Sequence, residues 1–267
     1  MEKFTHYVKK MYQRNLINKE RQWPPRHTEK LIRLFLVESD YTCGSSRSKD
    51  VKRISLEYED LFKMNSKHKA GRATKILVEG DAGIGKTTLC TAIAEDWANT
   101  KLFLQFKLLL LLPLQELLVS TASSLTKLLG NLHSSESICN SVANTLEEDG
   151  GEDVLIIADG WDELAISKRQ GNTFLYNLLS GKILPFASVL LTSRHTASVS
   201  LHRDPYFNYF VEICGFSHDN IREYILCEFD NDQVNALHLL EQLEGNPLVE
   251  NVCPNYFWLL LLWYKCQ

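Results

Sequence analysis

Gly80, Asp81, Ala82, Gly83, Ile84, Gly85, Lys86, Thr87 and Thr88 follow one another in the chain and fit the pattern G-x-x-x-x-G-K-[ST] of a phosphate-binding loop. With glycine at about 7% of residues, a chance match in a chain of this length is on the order of 1%, so the match is read as chemistry. The glycines let backbone N–H groups wrap a phosphate with no Cβ in the way. A helix leaving the loop adds a positive dipole end and unpaired donors. Lys86 would neutralise the β- and γ-phosphates, and the Thr87 hydroxyl would ligate Mg²⁺.

Phosphate binding becomes sensing or hydrolysis only if a second strand brings acids to the metal. Residues 154–159 read Val-Leu-Ile-Ile-Ala-Asp, a buried apolar strand ending in a carboxylate, and ligands sit at that edge of such sheets. Asp159 would hold Mg²⁺ through water. Gly160 and Trp161 lead on to Asp162 and Glu163. These two acids suit the N-terminus of a following helix and equally suit catalysis, with Glu163 orienting the attacking water. The next strand, residues 188–192, runs into Ser193, Arg194 and His195. An arginine beside the metal strand is placed to read a γ-phosphate by a bidentate contact; alone it would be read as a surface charge. His195 reads as a polar loop residue.

The elements that must position these groups alternate short apolar runs with helical ones, the signature of a parallel α/β sheet. Candidate strands are 75–79, 102–112, 153–158, 187–192 and 209–213. The first enters the phosphate loop. The helix leaving it puts Leu89, Ala92, Ile93 and Trp97 on one face. Run 102–112 is rich in leucine, as where helices cover both sheet faces, although periodicity alone also admits a buried helix there. Residues 133–152 read as an exposed helix and turn. Upstream, residues 1 to about 37 read as basic and helical, broken at Trp23, Pro24 and Pro25. Thr28 would cap a helix with Leu31, Ile32, Leu34 and Phe35 on its apolar face. Residues 40–50 read as a loop. Residues 54–64 would pack on the next domain through Leu56, Tyr58, Leu61 and Phe62. No internal repeat at solenoid periods is visible. The expected architecture is a three-layer parallel sheet with helices on both faces. Residues 1–53 form a basic helical arm and linker, 54–213 the nucleotide-binding domain, and 214–267 a partial helical subdomain with an apolar end.

Composition narrows the partners. The 267 residues are 45% hydrophobic, enough for a substantial core. Net charge is −4, but residues 1–75 hold 18 Lys/Arg against 9 Asp/Glu while the remainder holds 11 against 24. The expectation is a basic arm lying against an acidic globular domain. The basic residues never form a block, so no nucleic-acid partner is expected. Seven cysteines, at 43, 90, 139, 214, 227, 253 and 266, contain no C-x-x-C pair, which argues against a disulfide framework or a zinc site. The first ten residues contain no apolar signal core. The apolar runs 108–114 and 256–264 fall short of the roughly 20 residues a spanning helix needs. A cytoplasmic protein is expected.

In combination these motifs resemble the NACHT nucleotide-binding domain of NOD-like receptors, within the STAND class of P-loop NTPases (signal-transduction ATPases with numerous domains). The resemblance is carried by residues 80–88 and by residues 155–164, Leu-Ile-Ile-Ala-Asp-Gly-Trp-Asp-Glu-Leu. In the latter a small residue follows the metal aspartate and the acidic pair comes two positions later. Thr192-Ser193-Arg194 resembles the family's sensor. Residues 211–217, Val-Glu-Ile-Cys-Gly-Phe-Ser, resemble its entry to a helical subdomain, with Ser217 as N-cap and Ile221, Tyr224 and Ile225 along the helix. Gly245-Asn246-Pro247 resembles the turn whose proline packs on the adenine. The match runs from about 54 to 252, and Trp23-Pro24-Pro25 with residues 55–62 faintly resemble segments that precede the domain in some members.

The resemblance implies an ATP/ADP-binding regulatory switch with Mg²⁺, slow or no hydrolysis, and self-association or hetero-association with related NACHT proteins. It also implies a winged-helix part and a repeat sensor downstream, and an effector domain upstream for which about fifty residues are too few. The chain stops about twenty residues after Pro247, and residues 254–267 do not resemble the family. Their apolar character makes them a packing surface or an aggregation liability. The expectation is therefore a truncated or short-isoform receptor with weakened nucleotide affinity. Other readings of the residues are a P-loop ATPase or small-molecule kinase, a nucleic-acid ATPase using the basic arm, and an inert fragment.

Overall fold

The computed structural model describes residues 1–22, 36–38, 54–56, 58–63, 73–117, 125–130, 133, 135–164, 173–203, 205–213, 222, 225–226 and 232–244. Several expected features lie outside these residues: the Trp23-Pro24-Pro25 break, the Thr28 cap and its helix, the 40–50 loop, Ser217 and most of its helix, the Gly245-Asn246-Pro247 turn, and the apolar end 254–267.

Long apolar runs that bury both faces produce a parallel sheet. It contains β3 (Lys75–Glu79), β4 (Leu108–Pro113), β5 (Val154–Asp159), β6 (Ser188–Ser193) and β7 (Tyr209–Ile213). These pair in parallel in the order β7-β3-β6-β5-β4. The P-loop α/β fold expected from sequence is therefore the observed one. Two short antiparallel strands, β1 (Leu36–Glu38) and β2 (Ile54–Leu56), extend the sheet beyond β7 to seven strands. Residues 36 and 37, at the end of the stretch expected to be helical, thus form a strand. Leu36 and Val37 pair with Ile213 and Glu212, so the ladder overrides local preference.

The leucine-rich run is a strand, which excludes the buried helix, but it begins at Leu108 and not at residue 102. Residues 100–107 turn instead. Thr100 and Phe103 take positive φ values of 56° and 58°, and Trp97 Nε1 donates to the Phe106 carbonyl at 2.8 Å. A tertiary hydrogen bond from a fully buried indole holds a bend that the apolar composition conceals.

Helices cover both faces. The one leaving the phosphate loop, α2 (Lys86–Ala98), buries Leu89, Cys90, Ile93, Ala94, Trp97 and Ala98. Ala92, expected inward, is only half-buried. Two short helices, α3 (Leu114–Leu117) and α4 (Leu125–Gly130), precede α5 (Glu136–Glu148). The last is not wholly exposed, since Cys139, Val142, Ala143 and Leu146 face the core. Next come α6 (Thr173–Leu179), α7 (His195–Ser198) and α8 (Gln233–Glu244). Leu61 and Phe62 are buried and Leu56 packs against the core, as the sequence leads one to expect.

The N-terminal helix α1 (Glu2–Gln22) lies against α2 and β4 through buried Phe4, Val8 and Tyr12. Tyr12 deals with the edge of the sheet. Its hydroxyl donates to the Leu109 carbonyl at 3.4 Å and accepts from the Leu111 N–H at 2.8 Å. A phenol thereby stands in for a missing neighbouring strand. Burial pushes the Tyr12 phenol well up, so it stays a donor. Lys9 Nζ sits 4.8 Å from the Trp97 ring centroid, an attraction of about 0.5–1 kcal/mol at exposed sites.

Candidate functional site

Three parallel strands deliver the candidate chemistry to one edge. Strand β3 ends at Glu79 and opens the phosphate loop, β5 ends at Asp159, and β6 ends at Ser193 just before Arg194. Because β6 lies between β3 and β5, its end residues bridge the phosphate loop and the acid strand. Gly80 N–H donates to the Ser193 carbonyl at 3.2 Å.

The loop has the shape a phosphate needs. Gly83 and Gly85 have φ values of 74° and 111°, a region glycine occupies without strain. A Cβ on Gly80 would stand 2.8 Å from Ile84 Cγ2, so that glycine is required by close approach. Ile84 is buried and pins the loop's crest, while Asp81, Ala82 and Gly83 are exposed. Gly85 is the left-handed residue preceding α2, and Thr87 and Thr88 lie in its first turn.

The Lys86 ammonium donates to the carbonyls of Gly80 (2.9 Å) and Asp81 (2.8 Å). Burial lowers its pKa most, Asp162 raises it, and Arg194 lowers it further. A partly desolvated cation beside a second cation is what an anion would relieve. Thr87 Oγ1 donates to Asp159 Oδ2 at 2.7 Å, which brings both expected metal-holding oxygens to one point. The other carboxylate oxygen accepts from Thr192 Oγ1 at 2.5 Å and from the Cys90 thiol at 3.7 Å. Burial and the Asp159 charge push the Cys90 thiol well above its usual value, so Cys90 stays a neutral donor. The Thr192 and Cys90 side chains both orient the carboxylate; Thr192 enters the sequence reading only through the Thr192-Ser193-Arg194 resemblance, and Cys90 only as one of the seven cysteines.

The turn after β5 is built around Trp161. Its indole is fully buried and meets Tyr176 edge-on at 5.9 Å, fixing the 3₁₀ turn that carries Asp162 and Glu163. Gly160 has φ 90°, and a Cβ there would lie 3.0 Å from Glu163 Cδ. The small residue after Asp159 therefore has a conformational reason, since φ 90° lies where residues with a side chain are strained. Its N–H donates to Thr192 Oγ1 at 2.9 Å.

Asp162 and Arg194 face each other. Arg194 Nε stands 2.7 Å from Asp162 Oδ2, and the Arg194 N–H donates to Asp162 Oδ1 at 3.2 Å. Arg194 is thus a held residue and no stray surface charge. Partial desolvation raises the pKa of the exposed Glu163 carboxyl, and the Asp159 and Asp162 charges add to this. Lys86 and Arg194 act oppositely on it. Of the expected site residues, 80–88, Asp159, Asp162, Glu163 and Arg194 converge, whereas Pro247 lies outside the described residues.

The donor set fits Mg²⁺ bound with a nucleotide. Among the described residues no group of three His, Cys, Asp or Glu side chains has metal-holding geometry. One hydroxyl and one carboxylate suit Mg²⁺, which keeps several waters, shares substrate phosphates and needs no cage made wholly of protein ligands. No helix of the described residues is long and apolar enough to cross a membrane.

The family described as NACHT domain matches residues 74–232. The chain is 29% identical over 242 residues to the mouse (Mus musculus) protein called NACHT, LRR and PYD domains-containing protein 3, covering 84% of this chain and 22% of that one. It is 29% identical over 271 residues to the human (Homo sapiens) NACHT, LRR and PYD domains-containing protein 12, covering 96% and 24%. It is 30% identical over 221 residues to the mouse protein NLRC5, covering 79% and 11%. The chain therefore spans under a quarter of the length of these curated relatives.

Proposed function

We propose that this chain, which belongs to the NACHT domain family, is the ATP/ADP-binding switch of a NOD-like, innate-immune-type receptor, cytoplasmic and with slow hydrolysis or none. Residues 54–213 would be the nucleotide-binding unit, with the arm 1–53 before it and the start of a helical subdomain, 214–267, after it. The observation that carries the reading is the 2.7 Å contact between Thr87 Oγ1 and Asp159 Oδ2 in front of a complete phosphate loop.

In this reading Lys86 turns from the Gly80 and Asp81 carbonyls toward the β/γ-phosphates. Residues 80–88 offer backbone N–H groups to the phosphates, Thr87 and Asp159 hold Mg²⁺, and Pro247 would meet the adenine. Mg²⁺, when bound, supplies positive charge to the phosphate oxygens. Arg194 exchanges its contact with Asp162 for the γ-phosphate, so only a triphosphate draws it away. That differential contact lets ATP and ADP favour different states. Glu163, exposed on the same turn as Asp162, would orient the attacking water, and any hydrolysis would be Mg-dependent.

A switch of this kind predicts a nucleotide-dependent assembly. Light scattering after size exclusion should find a monomer with Mg-ADP and a larger species with a non-hydrolysable Mg-ATP analogue, alone or mixed with a related NACHT protein. Identical elution with both nucleotides, each shown to be bound, would remove the switch and leave a simple nucleotide-binding unit.

A further inference from the structure

Directly behind the phosphate loop lies a charged cluster that the nucleotide chemistry does not use. Glu79, the last residue of β3, is 2% exposed although it carries a carboxyl group. In the sheet its register partners are Ser193 on one side and Glu212 on the other. Two glutamates paired across neighbouring strands are unfavourable unless something compensates. The compensation comes from one short stretch of chain. Ser198 Oγ donates to Glu79 Oε1, and His202 Nε2 lies 2.9 Å from the same oxygen. His195 sits between the two acids, with Nδ1 3.8 Å from Glu79 and Nε2 3.6 Å from Glu212. The His202 ring is also stacked on Phe210 of β7 at 4.8 Å.

All three partners belong to the segment that begins at Arg194. The buried carboxylate therefore fastens that segment to the root of the phosphate loop. The loop root has its own main-chain support, because Glu79 stays in the ladder with β6 and β7 whatever its side chain is. What depends on the side chain is the placement of residues 195–202, and with it the backbone just after Arg194.

We propose that Glu79 is a positioning residue of the switch: its carboxylate, through Ser198, His202 and His195, holds the Arg194 turn in register with the phosphate loop. The inference rests on the reading of Arg194 as the contact to the terminal phosphate. Buried charges keep their place only when paired and hydrogen-bonded, and here all the described pairing serves one segment. ADP offers nothing to Arg194, so loss of the clamp should fall on ATP.

The test measures Mg-ATP and Mg-ADP affinities separately, by calorimetry, for wild type, Glu79→Leu, Glu79→Gln and the double variant Ser198→Ala with His202→Leu. In Glu79→Leu the expected result is an ATP affinity at least about tenfold weaker, with ADP affinity changed less than about threefold. Glu79→Gln keeps an acceptor at the same place and should recover most of the ATP affinity. The double variant removes the same contacts from the other side and should repeat the ATP-selective loss, which keeps the test decisive if Glu79→Leu does not fold. Equal losses for both nucleotides, or an unchanged ATP-to-ADP ratio in the variants that fold, would overturn the clamp. A wild type that binds neither nucleotide would instead overturn the proposed function itself.

Discussion

Lys86→Ala is expected to weaken both ADP and ATP by about 100-fold or more while the fold persists. The side chain would contribute charge-assisted hydrogen bonds worth about 1.5–3 kcal/mol each, and about 1.4 kcal/mol is a factor of ten. Little stability is at stake, because the ammonium's two hydrogen bonds go to the Gly80 and Asp81 carbonyls of its own loop. Burial already lowers its pKa, so the charged form is disfavoured by folding and its removal offsets part of the lost contacts. Calorimetric titration beside a thermal melt checks both halves. Unchanged ATP affinity would remove residues 80–88 as the phosphate site.

Glu163→Gln is the second large effect. A positioned general base contributes about 10²–10⁴-fold, so turnover per bound ATP should fall by at least about 100-fold, with ATP affinity nearly unchanged. The same substitution should not lower the melting temperature. Partial desolvation, Asp159 and Asp162 raise the pKa of this carboxyl, which means that folding favours the protonated form. That increment is fully present below the unfolded-state pKa and is lost as pH rises through the folded-state value. At neutral pH the neutral glutamine therefore replaces a disfavoured charge. Single-turnover hydrolysis and melts from pH 4 to 8 read out the two predictions. Lost ATP binding with normal turnover per bound nucleotide would mean that Glu163 is not catalytic.

The candidate site residues are legible because their spacing is local. A phosphate loop occupies one window, and its lysine and threonine follow within it. Asp159 closes an uninterrupted apolar strand, and the order strand, turn, acid pair is contiguous. Continuous apolar runs likewise located all five parallel strands. Strand β1 was not legible: three residues cannot show a period, and their state is decided by pairing with β7. The start of β4 was misplaced because Phe103 and Phe106 are apolar yet turn, held by the Trp97 indole. Cys90 reads as an ordinary helix residue, and Thr192 only as the residue that opens the sensor-like motif; that both aim at Asp159 is set by the fold. Glu79 is the clearest loss. A glutamate closing a five-residue strand reads as an exposed end, and only the arrival of residues 195–202 above it explains why it is buried.

The gap between a fitted site and a working one closes with nucleotide content. The protein is purified without added nucleotide, denatured, and the released ligand identified and counted by chromatography. Near-stoichiometric ADP is the predicted result, since residues 80–88 with Thr87 and Asp159 would retain the diphosphate as a resting state. A protein that emerges empty and also takes up no added Mg-ATP would contradict nucleotide binding by this chain, leaving the NACHT relationship as ancestry alone.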